Sequence, residues 1–194
     1  MCLQAVAVIA TALAWLPQTV KSLRSADRTG VSVSSWILGA ATGLVFALYG
    51  ISTHVWSLVG SEGAFAVGAL VVVGTVIGLR RTLTLAALAV VLSILTVRYA
   101  SADAIGVVGI IGTLGMRVLQ LLRTLKTRSV AGMSSASWIL LTLNVAAWGL
   151  YGLLAGRWPL VVTSAVALAS ATALLLVSHN FKRTAARTCP RSTI

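Results

Sequence analysis

The sequence predicts an all-α integral membrane protein: seven transmembrane helices in a 3+1+3 arrangement, two parallel triple-helix repeats joined by one linker helix. Three observations lead there. The chain of 194 residues is 58% hydrophobic and only 9% charged, with mean hydropathy +0.99. A soluble domain of this size would leave far too much apolar surface in water. Next, the chain repeats itself at an offset of 102 positions. Last, its basic residues fall in alternate loops, as a membrane topology requires.

The repeat is read from rare residues, because Ala, Val and Leu match by chance. Without a gap, Val6–Trp56 lies over Val108–Trp158, and four of the six Trp and two of the three Tyr fall into register. Gln18 meets Gln120, Gly30 meets Gly132 and Ser32 meets Ser134. Ser35-Trp36-Ile37-Leu38 meets Ser137-Trp138-Ile139-Leu140, and Leu48-Tyr49-Gly50 meets Leu150-Tyr151-Gly152. A fixed offset of this kind determines architecture. In a membrane protein it implies two half-units facing one another across a pathway.

A helix crosses the hydrocarbon layer in roughly 17–25 residues, and seven apolar stretches approach or reach that length. The first, Leu3–Val20, carries no basic leader and belongs to the repeat, so it is not a cleavable signal. Ser34–Ile51 and Val55–Leu79 complete the first repeat, residues 3–79. Thr82–Val97 is the shortest and follows Arg80-Arg81 with almost no loop; it is the linker helix, 82–97. Ala104–Leu122, Ala136–Leu154 and Trp158–Val177 form the second repeat, 104–177, and 178–194 is a basic tail. Helices satisfy their own backbone polar groups in lipid, so every span is helical. Three is odd, so a second copy following directly would enter the membrane inverted. One additional span restores its direction and makes the repeats parallel.

Charge orients the bundle. Twelve of the fifteen Lys and Arg lie in the loops after spans one, three and five and in the tail. The opposite side has Arg98 and Arg157, and Arg117 falls within a span. The positive-inside rule puts the N-terminus outside and the C-terminus in the cytoplasm, which needs an odd number of spans. The net charge of +12 is thereby mostly topology, and its spread over short loops excludes a nucleic-acid groove. Cys2 and Cys189 fall on opposite sides, as do His54 and His179, so the sequence offers no disulfide and no metal site. No catalytic constellation can be assembled within the spans, so neither an enzyme nor a cofactor is expected. The richness in Ala and Val and the preference for Arg over Lys point to a bacterial cell membrane.

Trp15-Leu16-Pro17-Gln18, a short basic loop with Thr29-Gly30-Val31-Ser32, then Trp36 and Leu48-Tyr49-Gly50 resemble a PQ-loop triple-helix repeat. Two such repeats with a linking helix are similar to the SWEET sugar transporters, whose half-size bacterial relatives are the SemiSWEETs. The second copy departs from the pattern: Leu119-Gln120 replaces Pro-Gln, and Arg117 stands where Trp15 does. The resemblance implies alternating access with Pro17 as a hinge, since proline removes a backbone donor and loosens its helix. It places Gln18, Gln120 and Arg117 beside the gating segments; for Arg117, snorkelling to the cytoplasmic interface is an equal alternative. The stripe Gly106, Gly109, Gly112, Gly115 supplies either pliability or close helix packing, and Gly39 with Gly43 supplies packing.

Family members line a central sugar site with an aromatic three residues before the Tyr of Tyr-Gly, and with an Asn on the third helix of each repeat. The matching positions here are Phe46 and Trp148, then Glu62 and Ser164. Counting at 1.5 Å per residue puts Phe46 and Glu62 at one depth, about 8–9 Å below the outer edge, and Arg117 roughly 10 Å deeper than Glu62. Asn144 lies one turn below Trp148 and offers an amide. Trp56 and Trp158 suit the interfacial aromatic belt. Glu62 is the only acidic residue in a span, and an intramembrane carboxylate normally faces a wet cavity or a partner. The implied function is movement of a small polar solute, a sugar by the resemblance, through the lipid bilayer. Replacement of the Asn pair keeps open a proton-coupled carrier of amino acids or other cationic solutes. A non-transporting seven-helix receptor or scaffold is the alternative of another class, and a homo-oligomer is compatible with each.

Overall fold

The computed structural model describes residues 2–24, 32–127 and 135–188; within them the side chains of 2–3, 16, 18, 21–23, 96–97, 135–138 and 178–188 are outside the described set. The described chain forms seven helices and no strand: α1 Cys2–Arg24, α2 Val33–Ser52, α3 Trp56–Ile77, α4 Leu79–Tyr99, α5 Ala102–Thr127, α6 Ser135–Leu154 and α7 Trp158–Thr188. They follow the seven predicted spans in order and differ at their ends. Helices α1 and α5 run on to Arg24 and Thr127, so Lys21, Arg24, Arg123 and Lys126 occupy last turns rather than loops. Cations there oppose the negative end of the helix dipole, whereas hydropathy ends a span at its first charge. Arg80 and Arg81 likewise open α4. Helix α1 continues through Pro17.

Helices α2, α3, α5 and the Trp158–Val177 part of α7 are long and apolar enough to cross a membrane; α1 and α6 contain the shorter apolar segments Gln4–Trp15 and Ile139–Leu154. Packing follows a closed order. Helix α3 lies between α1 and α2, α7 lies between α5 and α6, and the sets meet along α1–α6 and α2–α5. The result is a six-helix ring in the order α1, α3, α2, α5, α7, α6. Helix α4 touches α3 and α2 from outside it.

Local chemistry carries the repeat into geometry. The α2–α3 turn closes with Val55 N–H donating to Gly50 C=O (2.8 Å) and His54 N–H to Ile51 C=O (3.2 Å). At α6–α7, Arg157 N–H donates to Gly152 C=O (2.8 Å) and Gly156 N–H to Leu153 C=O (3.5 Å). Both are Schellman endings, whose residue after the cap must be left-handed. His54 has φ +56° and Gly156 φ +65°. Glycine adopts this freely; a residue with a Cβ is strained there. The Ser32 of the Gly-x-Ser motif is the N-cap of α2 and accepts from Ser35 N–H at 3.3 Å. Capping of this kind satisfies a helix-end donor, which is why a small hydroxyl residue suits this position. Its counterpart Ser134 is outside the described residues.

The α2–α5 seam answers the question posed by the glycine stripe. Leu38, Thr42 and Phe46 of α2 press on Gly115, Gly112 and Gly109 of α5. A Cβ at Gly109 would lie 2.7 Å from Phe46 Cζ, so the glycines permit close approach of two backbones. Ser35 adds a bond across the seam, its hydroxyl donating to Met116 C=O at 2.9 Å.

At the end of the ring where α1 and α5 begin, one apolar cluster unites both halves. Ala7, Phe46, Leu58, Ile105, Trp148 and Leu160 belong to it, one from each ring helix. None is more than 4% exposed. Phe46 stands edge-on to Tyr49 with ring centroids 6.4 Å apart, and Trp148 stands edge-on to Tyr151 at 5.7 Å.

Candidate functional site

One turn inward from the apolar cluster, or two on α5, the side chains become polar on all six ring helices: Thr11, Thr42, Glu62, Thr113, Asn144 and Ser164. These are three repeat pairs, 102 positions apart: Thr11 with Thr113, Thr42 with Asn144, Glu62 with Ser164. Thr11, Thr42, Thr113, Asn144 and Ser164 are 3–7% exposed. Contacts place them near one level. Thr11 reaches Asn144, and Thr42 Oγ1 occupies the space a Cβ on Gly112 would take, beside Thr113. The Glu62 carbonyl lies 3.0 Å from where Gly43 would carry a Cβ, beside Thr42. Ser164 Cβ lies 2.8 Å from the same point on Gly149, beside Trp148.

Glu62 is half-buried. At 100° per residue it lies on the α3 face away from the exposed stripe Gly60, Ala64, Val67, Val71 and in line with Leu58 and Ala69, which are buried. No described residue forms a hydrogen bond or ion pair with its side chain. It is the only acidic member of this layer, and Asp103 is at the exposed start of α5.

The sharpest geometry is on the α1–α6 seam. Thr11 Oγ1 lies 2.9 Å from Ala7 C=O, 2.7 Å from the amide end of Asn144 and 3.3 Å from Trp148 Nε1. A threonine hydroxyl has one proton to donate and two lone pairs. One arrangement satisfies all three contacts: the proton goes to Ala7 C=O, and the lone pairs accept from the indole N–H and from the Asn144 amide N–H. The two ends of an amide have the same shape, so the network decides which is which. Asn144 then turns its carbonyl oxygen away from Thr11 as an open acceptor. Thr42 spends its proton in the same way, donating to Leu38 C=O at 2.7 Å.

The sequence-predicted residues thus divide. Glu62, Ser164 and Asn144 share the polar layer, while Phe46 and Trp148 are buried in the apolar cluster at its edge. Pro17 and Gln18 are farther along α1, the Gln18 side chain outside the described set. Gln120 is buried on α5. Arg117 lies one turn beyond Thr113 and is engaged within the protein. Its repeat partner Trp15 packs its ring against Gly68 of α3, whose Cβ would meet it at 2.6 Å. Trp56 is 66% exposed; Trp158 is 46% exposed and donates its indole N–H to Asp103 at 3.1 Å. At the same end, Arg157 Nη2 donates to Thr53 C=O at 3.4 Å, tying the second turn to the end of α2.

The threonines at 11, 42 and 113 are not among the predicted site residues. Their signal was the repeat itself, since Thr11 and Thr113 are a polar pair in register within apolar segments. Among the described residues no three His, Cys, Asp or Glu side chains are grouped to hold a metal ion. No family model, no curated protein and no solved structure matches the chain.

Proposed function

We propose that the chain is a membrane transporter similar to the SWEET family, moving a small polar solute by alternating access between two half-units. The polar layer carries the reading. Each helix of the six-helix ring contributes one polar side chain to it, in three pairs related by the repeat, and an apolar cluster covers it at one end. Burying five neutral polar side chains and a carboxyl in a bundle of apolar helices is costly without a ligand or water to satisfy them. Sites between repeated half-units near the middle of the membrane are where carriers bind their solute. In this reading all seven helices span the bilayer. The repeats 3–79 and 104–177 are parallel, 82–97 links them, the N-terminus is outside and the C-terminus is cytoplasmic. The apolar cluster is then the closed outer end of the path, tied by Arg157. Solute reaches the layer from the cytoplasmic end, and separation of the clustered helices opens the outer one.

Uptake by purified protein in proteoliposomes, measured for a panel of sugars and amines with empty vesicles as the reference, tests the proposal. Solute-specific uptake that saturates is the expected result. Permeability equal to empty vesicles for the whole panel, with the protein folded and inserted, refutes it.

A further inference from the structure

Resting on that transport reading, we infer that the solute is a small organic cation, held by an ammonium group on the open oxygens of Glu62, Thr42 and Asn144. The inference comes from counting donors. Three of the layer's donors are committed inside the protein: the Thr11 hydroxyl to Ala7 C=O, the Thr42 hydroxyl to Leu38 C=O, and the Trp148 indole N–H to Thr11. The Asn144 amide N–H that approaches Thr11 is committed as well. What remains toward the ring interior is rich in acceptors: the Thr42 oxygen, the Asn144 carbonyl and both oxygens of Glu62.

An ammonium group has three N–H donors and no acceptor, which is the complement of that set. A neutral sugar hydroxyl both donates and accepts, and its own oxygen would find few donors here. Polar groups left unpaired on binding are penalised heavily. Charge points the same way. The layer's one ionisable side chain is a carboxyl, and no described cation neutralises it. The nearest cation along the ring-lining face of α5 is Arg117, one turn past Thr113, and its interactions are already within the protein. The carboxyl has no counterpart in the second half, where Ser164 takes its place. One charge on one side of the path suits one charge on the solute.

The test uses the full chain in proteoliposomes with ethanolamine and putrescine as amine probes and glucose as the neutral probe. Wild-type protein takes up an amine, faster when the vesicle interior is made electrically negative. Because a hydrogen bond to a carboxylate is roughly twice as strong as a neutral one, Glu62→Gln lowers amine uptake at half-saturation at least tenfold. Thr42→Val, which keeps the shape and removes only an oxygen, weakens half-saturation severalfold, and serves where the Glu62 variant does not fold. Glucose uptake without amine uptake overturns the inference and leaves the transport reading standing. Amine uptake that neither substitution changes overturns the assigned oxygens. Vesicles that take up no probe overturn inference and reading together.

Discussion

Thr11 and Trp148 are 137 positions apart in sequence and meet only if α1 closes on α6, so their energetic coupling tests the ring and the site at once. Thr11→Val keeps the shape of the side chain and deletes the hydroxyl. It leaves the Trp148 indole N–H and the Asn144 amide without the acceptor they share, 3.3 and 2.7 Å away. Stranded buried donors cost about 1–3 kcal/mol each in general. Inside a membrane the alternative partners of the unfolded state reduce this, and measured couplings average about 0.6 kcal/mol with a ceiling near 1.7. Trp148→Phe deletes the indole donor and keeps an aromatic ring in the apolar cluster. The expected coupling between the two substitutions is about 1 kcal/mol, above the roughly 0.3–0.5 kcal/mol within which independent sites add. The assay is reversible unfolding in bilayer-mimicking bicelles, run as a four-protein double-mutant cycle. Strict additivity with all four proteins folded would show that the indole and the hydroxyl do not meet, and would remove the reason for assigning Asn144 an outward-turned carbonyl.

The remaining predictions concern the turns, the seam and the topology. Gly156→Ala should destabilise by about 1–2 kcal/mol and His54→Gly should stabilise by about 1 kcal/mol, because both positions are left-handed; equal effects of one sign on the unfolding midpoint would contradict the paired Schellman endings. Gly109→Ala drives a methyl into Phe46 and should cost about 1–3 kcal/mol, whereas Gly60→Ala meets nothing within 4 Å and should be neutral or mildly stabilising by the same measurement. An impermeant thiol reagent added outside intact cells should label Cys2 and spare Cys189; the reverse pattern would invert the proposed orientation.

Much of the fold was legible because the repeat is written in residues that rarely match by chance. The Trp and Tyr pairs set the register, and the register returns as paired turns, paired edge-on aromatic contacts and paired polar positions. Helix ends were less legible. Hydropathy stops at the first charge, but backbone hydrogen bonding does not, so α1, α5 and α7 continue past the predicted spans. The site was half legible. Glu62, Ser164 and Asn144 announce themselves as polar groups in apolar runs. Threonine does so weakly, because its hydroxyl often serves its own helix, as at Thr42. Trp148 was expected to present a face to the pathway, yet its ring is 4% exposed and its polar edge is turned to Thr11. Sequence spacing gives the depth of a side chain; the direction of its donor depends on the neighbouring helix.

The two seams joining the halves would be alike if the copies were identical, and they are not. On α1–α6, Thr11 receives donors from Asn144 and Trp148. The corresponding positions across α5–α2 are Thr113, Thr42 and Phe46. Phenylalanine has no donor, and Thr42 gives its proton to its own helix. That seam relies on the glycine groove of α5 and on the Ser35 bond to Met116. Hydrogen bonds are directional and weaken steeply when misaligned. Side-chain packing against glycine is not directional and tolerates a small rotation. In a carrier whose halves rock against each other, α2–α5 is therefore the seam about which they turn, and α1–α6 is the seam that opens. The opening seam is also the one whose network sets the orientation of the Asn144 amide. Separating α1 from α6 breaks the contact that fixes this acceptor, so solute release and the opening of that seam are coupled through a single threonine hydroxyl.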